Sequence, residues 1–564
     1  MSLRSYVQGP ADVPLVGDTI GRVLDRAASD HGGRDALVSR HQGSRLTYER
    51  LHAEVELLAR GLLALGVSKG DRVGIWSPNN AEWVVVQYAS AKIGAVLVNI
   101  NPAYRLRELE FALAQSGVSL LVCARGFRAT DYVDMLERFV PGLAHTAPDR
   151  LASPHLPHLR CIVMLGPDRI AGTWSWDDVR ARGERTDPDA LRAREATLEF
   201  DDPINIQYTS GTTGAPKGAT LSHHNILNNG FFVGERMRLA AGDRICVPVP
   251  FYHCFGMVMG NLAALTHGAA VVLPADSFDA GACLDAIEAE RCTALYGVPT
   301  MFIAELRHAG FDPGRLTSLR TGIMAGSPCP VEVMRQVVDR MSMRDVTICY
   351  GMTETSPVSF QSCPGDDLER RVSTVGAVHP HVECKIVDSA TGRVVPRGTP
   401  GELCTRGYLV MLGYWNDPTA TTAAVDQARW MHTGDLAVMR EDGYVRIVGR
   451  LKDMVIRGGE NIYPREIEEF LYTHPKVADV QVVGVPDPKY GEELCAWIRL
   501  KADEHAEVEE IRDFCRGQIA TFKIPRYVRI VDDFPMTVTG KVQKYRMREI
   551  SITELGLGPP SETA

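Results

Sequence analysis

Short, continuous apolar runs alternate with stretches of helical spacing through the first three quarters of the chain. Arg72–Trp76, Ala95–Val98, Leu120–Cys123, Cys161–Leu165, Ala269–Leu273 and Thr347–Cys349 are such runs. Continuous rather than alternating hydrophobicity predicts strands covered on both faces. Between them, stretches such as Pro330–Met341 carry helical spacing. That order predicts an α/β fold with parallel sheets. Asn80 is placed to cap a helix that Gly94 ends, after which the chain runs extended. From His379 to Ile447 short strands are separated by turn residues, among them Thr391-Gly392, Arg397-Gly398 and Glu441-Asp442-Gly443. This predicts a mainly β subdomain. After Arg450 the pattern predicts a helix (Tyr463–Thr473), two strands (Val477–Val485, Glu493–Leu500), a helix (Val508–Ile519) and a strand (Tyr527–Val531). These make a small α+β domain. Residues 551–564, rich in Gly, Pro and Ser from Leu555 onward, are expected to be a disordered tail.

Composition narrows the function only a little. The chain has 564 residues, 45% of them hydrophobic, and a formal net charge of −9. That excludes a disordered or fibrous chain, and the acidic balance argues against a phosphate-backbone binder of nucleic acid. The 13 cysteines are scattered, with no C-x-x-C pair, and Met1 to Val13 has neither a secretory core nor an Arg-rich transit pattern. Free thiols and a cytoplasmic location are the expectation. The most apolar long stretch, Trp83 to Ile100, is interrupted by Gln87, Ser90, Lys92 and Asn99, so it reads as a helix and a strand rather than a bilayer span.

The densest chemical signal is Tyr208-Thr209-Ser210-Gly211-Thr212-Thr213-Gly214-Ala215-Pro216-Lys217-Gly218. It follows a strand-like run, Ile204–Tyr208, and precedes a helix opened by Ser222. Its glycines let the backbone approach an anion closely, and its N–H groups, hydroxyls and single Lys can cradle a polyphosphate. It is not a Walker A loop, which wants Gly before the Lys and Ser or Thr after it. Further on, Tyr350-Gly351-Met352-Thr353-Glu354 follows an apolar strand. A carboxylate beside a triphosphate is repelled unless a cation intervenes, which makes Glu354 a candidate Mg²⁺ ligand.

The loop closely resembles the signature of adenylate-forming enzymes, the superfamily of acyl-CoA synthetases, luciferases and peptide-synthetase adenylation domains. The resemblance runs from Leu46-Thr47-Tyr48 to Lys541. Ser5-Tyr6-Val7, Pro203-Ile204-Asn205-Ile206-Gln207, Arg457-Gly458-Gly459-Glu460-Asn461-Ile462-Tyr463-Pro464 and Val480-Gln481-Val482-Val483-Gly484-Val485 are similar to the acyl-CoA synthetase family member two type. Members of that type act mainly on medium-chain acids. The resemblance implies ATP, Mg²⁺ and CoA as partners, with a fatty acid joined first to AMP and then to CoA. It implies an ATP site of Thr209, Ser210, Gly211, Thr212, Thr213, Gly214, Lys217, Gly326, Ser327, Tyr350, Gly351, Thr353, Asp435, Arg450 and Lys541. Tyr350 would stack on adenine, and Asp435, in His432-Thr433-Gly434-Asp435, would accept from the ribose hydroxyls. Lys541, in Thr537-Val538-Thr539-Gly540-Lys541, would offset the charge that builds up when a carboxylate attacks the α-phosphate. Lys217, Thr353, Glu354 and Lys541 are thus the implied catalytic set.

Lys452 matches the family's hinge position, and the implied organisation is a large domain of residues 1–449, a hinge at 450–452 and a mobile domain at 453–550. Gly458 and Gly459 match the CoA tunnel and equally make a hairpin turn. The implied acyl pocket is His253, Phe255, Gly256, Ala325 and Gly326, with His253 either a gate or a buried structural residue. His223-His224 and the His155, His158 and Cys161 group have no matching second pair of metal ligands and read as helix-start polarity and surface loop. A separate carrier protein is the alternative acceptor, and a homodimer is compatible with the pattern.

Overall fold

The structure is a computed structural model and describes residues 3–209, 216–327, 329–458, 460–536 and 542–557. Two compact units emerge: a larger one of Val7–Cys384 with Thr405–Met431, and a smaller one of Met1–Tyr6, Lys385–Cys404 and His432–Ala564. Residues 450–452 lie inside the smaller unit.

Among the described residues, the two large sheets of the larger unit have eight and nine strands. In the first, Cys161–Met164, Val118–Cys123, Arg72–Trp76, Val96–Ile100 and Pro203–Thr209 run parallel in that spatial order. Lys217–Ser222 and Gly413–Tyr414 close one edge antiparallel. In the second, Asp35–Ser39, Ala270–Leu273, Arg244–Cys246, Ala294–Gly297, Thr321–Ala325 and Asp345–Gly351 are parallel neighbours. The expected continuous runs are these strands, each within two residues of its expected ends, and their interior residues are buried except at half-buried positions such as Tyr350. The parallel order requires helical crossovers, and the helices between the strands supply them.

Helix Ala81–Ile93 shows how this interior tolerates polar groups. Asn80 Oδ1 accepts from Trp83 N at 2.7 Å, and Gly94 ends the helix at φ +70°. Every residue of the helix except Glu82 is buried. Each of its interruptions is satisfied. Lys92 Nζ pairs with Asp25 at 2.5 Å and Glu195 at 2.8 Å, Gln87 donates to Met257 O, and Ser90 donates to Gln87 O. A bilayer would offer no such partners; among the described residues no helix is long and apolar enough to cross a membrane.

In the smaller unit, Val477–Asp487 and Gly491–Leu500 form a long antiparallel hairpin, with Tyr527–Ile530 parallel to its second strand. Both hairpin strands extend beyond their expected ends because the turn between them is short. Helix Val508–Cys515 stops short of Ile519. Helix Lys544–Glu554 corrects the expected start of the tail at 551. Ser551 is fully buried and its Oγ accepts from Trp497 Nε1 at 2.9 Å, which holds the last turn down. Residues 558–564 lie outside the described residues.

Candidate active site

Open parallel sheets present ligand-binding positions at the carboxyl ends of their strands. Ala325 pairs with Cys349 across neighbouring parallel strands, so Gly326 and Tyr350 follow side by side at that end, Tyr350 still paired with Phe360 on its other side. Gly326 has φ +91°, a conformation that favours glycine, and Ser327 beside it is exposed. Gly351 leaves no room for a side chain, because a Cβ there would lie 1.8 Å from Pro357 O. Thr353 and Glu354 follow in a single 3₁₀ turn.

Thr209 and Lys217 face each other at the mouth of an antiparallel hairpin. Ser210, Gly211, Thr212, Thr213 and Gly214 lie outside the described residues, as do Gly459 and Lys541. Lys217 Nζ stands 5.1 Å from the centroid of the Tyr414 ring. Tyr414 Oη in turn donates to Glu354 Oε1 at 2.7 Å. Tyr414 therefore links the loop lysine to the candidate metal ligand. Burial, with the Glu354 charge beside it, pushes the Tyr414 phenol well above its ordinary range, so it stays a donor. Glu354 is 5% exposed, and its backbone carbonyl accepts from Met411 N at 3.0 Å. Sequence reasoning missed Tyr414. It reaches the site only because Ala219 pairs with Tyr414 at the sheet edge, a contact between residues 195 positions apart.

His253 lies just before a π-helix, Phe255–Leu262, with its Nδ1 accepting from Phe255 N at 3.2 Å. Cys254 Sγ lies 3.6 Å from the same nitrogen and 4.0 Å from Thr353 Oγ1, which brings His253 and Thr353 into one neighbourhood. Phe255 stacks on Tyr296 with ring centroids 5.7 Å apart. A Cβ on Gly256 would lie 2.5 Å from Pro250 O. The π-helix carbonyls of Met257, Met259 and Asn261 accept from Gln87, Tyr296 and Tyr88. π-Helices are rare and concentrate at functional sites. The two groups read as non-metal have other partners: His223 Nδ1 accepts from Ile20 N at 3.2 Å, and His155 pairs with Glu110.

In the smaller unit, Asp435 and Arg450 are direct cross-strand partners, with Arg450 Nε 2.9 Å from Asp435 Oδ1. The turn before Asp435 is fastened to strand Gly401–Gly407. Gly434, at φ +68°, donates its N–H to Glu402 Oε1 at 3.3 Å, and Thr433 Oγ1 donates to Leu403 O at 2.7 Å. His432 Nδ1 lies 2.9 Å from Glu402 Oε2, and the Cys404 thiol and Glu402 carboxylate together push the imidazole up to about 10. Lys452 sits in a 3₁₀ turn where burial, then the Arg450 charge, lowers its ammonium. Gly458 has φ +60° and donates to Tyr490 O at 2.8 Å.

A buried acidic oxygen, a lysine and an aromatic at strand ends is a nucleotide-phosphate chemistry, and comparison with known proteins gives it a family. The AMP-binding enzyme family matches residues 24–415, and the AMP-binding enzyme C-terminal domain matches 466–541. The chain belongs to the AMP-binding enzymes. YngI of Bacillus subtilis (strain 168) is 50% identical over 543 residues, covering 96% of this chain and 99% of the other. The mitochondrial medium-chain acyl-CoA ligase ACSF2 of Danio rerio is 46% identical over 555 residues, covering 98% and 91%. Among solved structures, ATP-bound MatB from Rhodopseudomonas palustris superposes with a TM-score of 0.82 at 29% identity, covering 95% of this chain and 99% of that one. The expected superfamily and the α/β class with a large N-terminal and a small C-terminal part both hold.

Proposed function

We propose that this AMP-binding enzyme activates a medium-chain fatty acid with ATP and transfers the acyl group to CoA. The observation that carries the reading is the Lys217–Tyr414–Glu354 contact, which gathers a phosphate-seeking ammonium and a fixed carboxylate just past the strand Asp345–Gly351 that carries Tyr350. The names of the relatives support the acyl-CoA product and the chain length.

In this reading the fatty-acid carboxylate attacks the α-phosphate, pyrophosphate leaves, and the CoA thiol then displaces AMP from the acyl adenylate. Lys217 draws phosphate charge, Asp435 accepts from ribose with Arg450 beside it, and Tyr350 stacks on the base. Lys541 offsets the charge that grows as two anions meet. Glu354 suits a hard cation, since it is an oxygen donor held in one orientation by Tyr414. It is the residue that would hold Mg²⁺, which neutralises phosphate charge when bound. The pocket formed by His253, Phe255, Gly256, Ala325 and Gly326 takes the acyl carboxyl end. Gly458 and Gly459 border the CoA path, and rotation about Lys452 exchanges the two half-reactions. The scattered cysteines, without a C-x-x-C pair, support a reducing compartment such as the cytoplasm.

The test is CoA-thioester formation from acetate, hexanoate, decanoate, palmitate and benzoate, with AMP release followed. Hexanoate and decanoate should lead; flat activity, or activity on benzoate alone, overturns the medium-chain assignment. Lys541→Ala should slow carboxylate-dependent ATP–pyrophosphate exchange by about 10²–10³-fold while leaving the thioester step from supplied acyl adenylate far less affected.

A further inference from the structure

The Glu402, Cys404 and His432 group takes no part in the chemistry proposed above. Glu402 and Cys404 occupy alternate positions of one strand, so both side chains project from the same face of the sheet. His432 comes from the hydrogen-bonded neighbouring strand. Its Nδ1 is 2.9 Å from Glu402 Oε2 and 3.5 Å from Cys404 Sγ, and the three donor atoms all lie within 4.8 Å of one another. In a tetrahedral zinc site, metal–donor lengths near 2.3 Å to sulfur and 2.0–2.1 Å to nitrogen or oxygen put neighbouring donors about 3.3–3.6 Å apart. The 3.5 Å separation already stands at that spacing, and the 2.9 Å contact needs to open by about 0.4 Å.

The donor set also selects the ion. Thiolate and imidazole suit Zn²⁺ and softer cations, whereas Mg²⁺ prefers oxygen alone. Cys404 is fully buried, and His432 and Glu402 retain 33% and 12% side-chain exposure, which leaves an ion a way in. We propose that Glu402, Cys404 and His432 form a binding site for a thiophilic divalent cation such as Zn²⁺, with water as the fourth ligand. On binding, the Cys404 Sγ–H and the His432 Nδ1–H each lose their proton to solvent, and the metal takes the place between the three donors. Glu402 keeps its second oxygen on Gly434 N–H, so an occupied site is tied directly to the turn that carries Asp435. The site stands or falls independently of the acyl substrate.

Cd²⁺ is the probe, because a cadmium–thiolate bond gives an ultraviolet charge-transfer band. The full-length protein is titrated with Cd²⁺ in excess Mg²⁺, and Zn²⁺ is then added as competitor. The expected result is a saturable band of one equivalent that Zn²⁺ removes and that Cys404→Ser lacks. Glu402→Gln and His432→Gln keep the thiol and should each weaken Cd²⁺ binding at least about 10-fold, the loss that changes even outside the ligand shell produce. These two variants decide the matter if Cys404→Ser does not fold. A wild-type protein without the band overturns the proposal. So does a band that survives Cys404→Ser, or an affinity unmoved by His432→Gln.

Discussion

Glu354 and Glu305 are both buried in the larger unit, at 5% and 1% exposure, and they are opposite kinds of residue. Glu354 accepts a hydrogen bond from Tyr414, whose ring lies beneath the Lys217 ammonium. Glu305, on helix Pro299–Arg307, has both carboxyl oxygens buried, without a hydrogen-bond partner among the described residues. Burial pushes its carboxyl up to about 8, with the Cys283 thiol close by opposing only in part. Equal burial of equal side chains thus gives one carboxyl group held by a hydrogen-bonding partner and one carboxylic acid sealed in the core. Partners, rather than depth, separate a site from a liability.

The largest effect expected from this contrast is on stability. A carboxyl whose folded value is raised from 4.5 to about 8 costs nothing below pH 4.5, and the folded state loses stability as pH rises towards 8. The loss across that window is on the order of 5 kcal/mol if the environment does not relax. Glu305→Gln removes the titration, so the gap between the thermal midpoints of variant and wild type should widen from pH 5 to pH 8 in the variant's favour. A gap that is constant with pH would falsify the reading of Glu305 as a buried acid.

Next in size is the effect of the same substitution at the other glutamate. Glu354→Gln keeps shape but removes the charge, and ATP–pyrophosphate exchange should fall about 10²–10³-fold, the scale of a lost electrostatic contact in a water-poor site. Glu305→Gln assayed in parallel should retain exchange close to wild type. Similar losses in both would mean that burial near the sheet, and not the Tyr414 contact, marks the functional residue.

Removing only the hydroxyl tests that contact more finely. Tyr414→Phe preserves the ring under Lys217 and deletes the donor to Glu354, a charged hydrogen bond of about 1.5–3 kcal/mol. That corresponds to about a 10–100-fold loss of kcat/KM for ATP, smaller than Glu354→Gln. An equal or larger loss would place Tyr414 in contact with substrate instead of behind the carboxylate.

How much of this was legible in the chain follows from how local each signal is. Arg72–Trp76 is a strand from end to end as its apolar run predicts, and Asn80 and Gly94 bound their helix, because strand burial and helix caps are written in adjacent residues. Glu354, Asp435 and Arg450 enter the candidate set through motifs, which are also local. Tyr414 was not, since only the antiparallel pairing of Lys217–Ser222 with Gly413–Tyr414 brings it to the site. Nor was Glu305: in Thr300-Met301-Phe302-Ile303-Ala304-Glu305-Leu306-Arg307 it looks like a solvated helix position, and only tertiary packing seals it. The π-helix likewise reads as a plain apolar run, Phe255–Leu262, because side chains from distant elements bind its carbonyls.

Those carbonyl contacts supply the smallest test of the rule that partners decide. Tyr296 Oη donates to Met259 O at 2.9 Å inside a fully buried environment. Tyr296→Phe changes one atom, keeps the stacking on Phe255, and should lower stability by about 1 kcal/mol, the net worth of one satisfied hydrogen bond. The direction matters more than the size. Deleting a partnered polar atom at Tyr296 should destabilise at every pH, whereas removing the titratable acid at Glu305 should stabilise as pH rises. If Tyr296→Phe raised the thermal midpoint, polarity itself would be what the core resists. The contrast between the two glutamates would then need another cause.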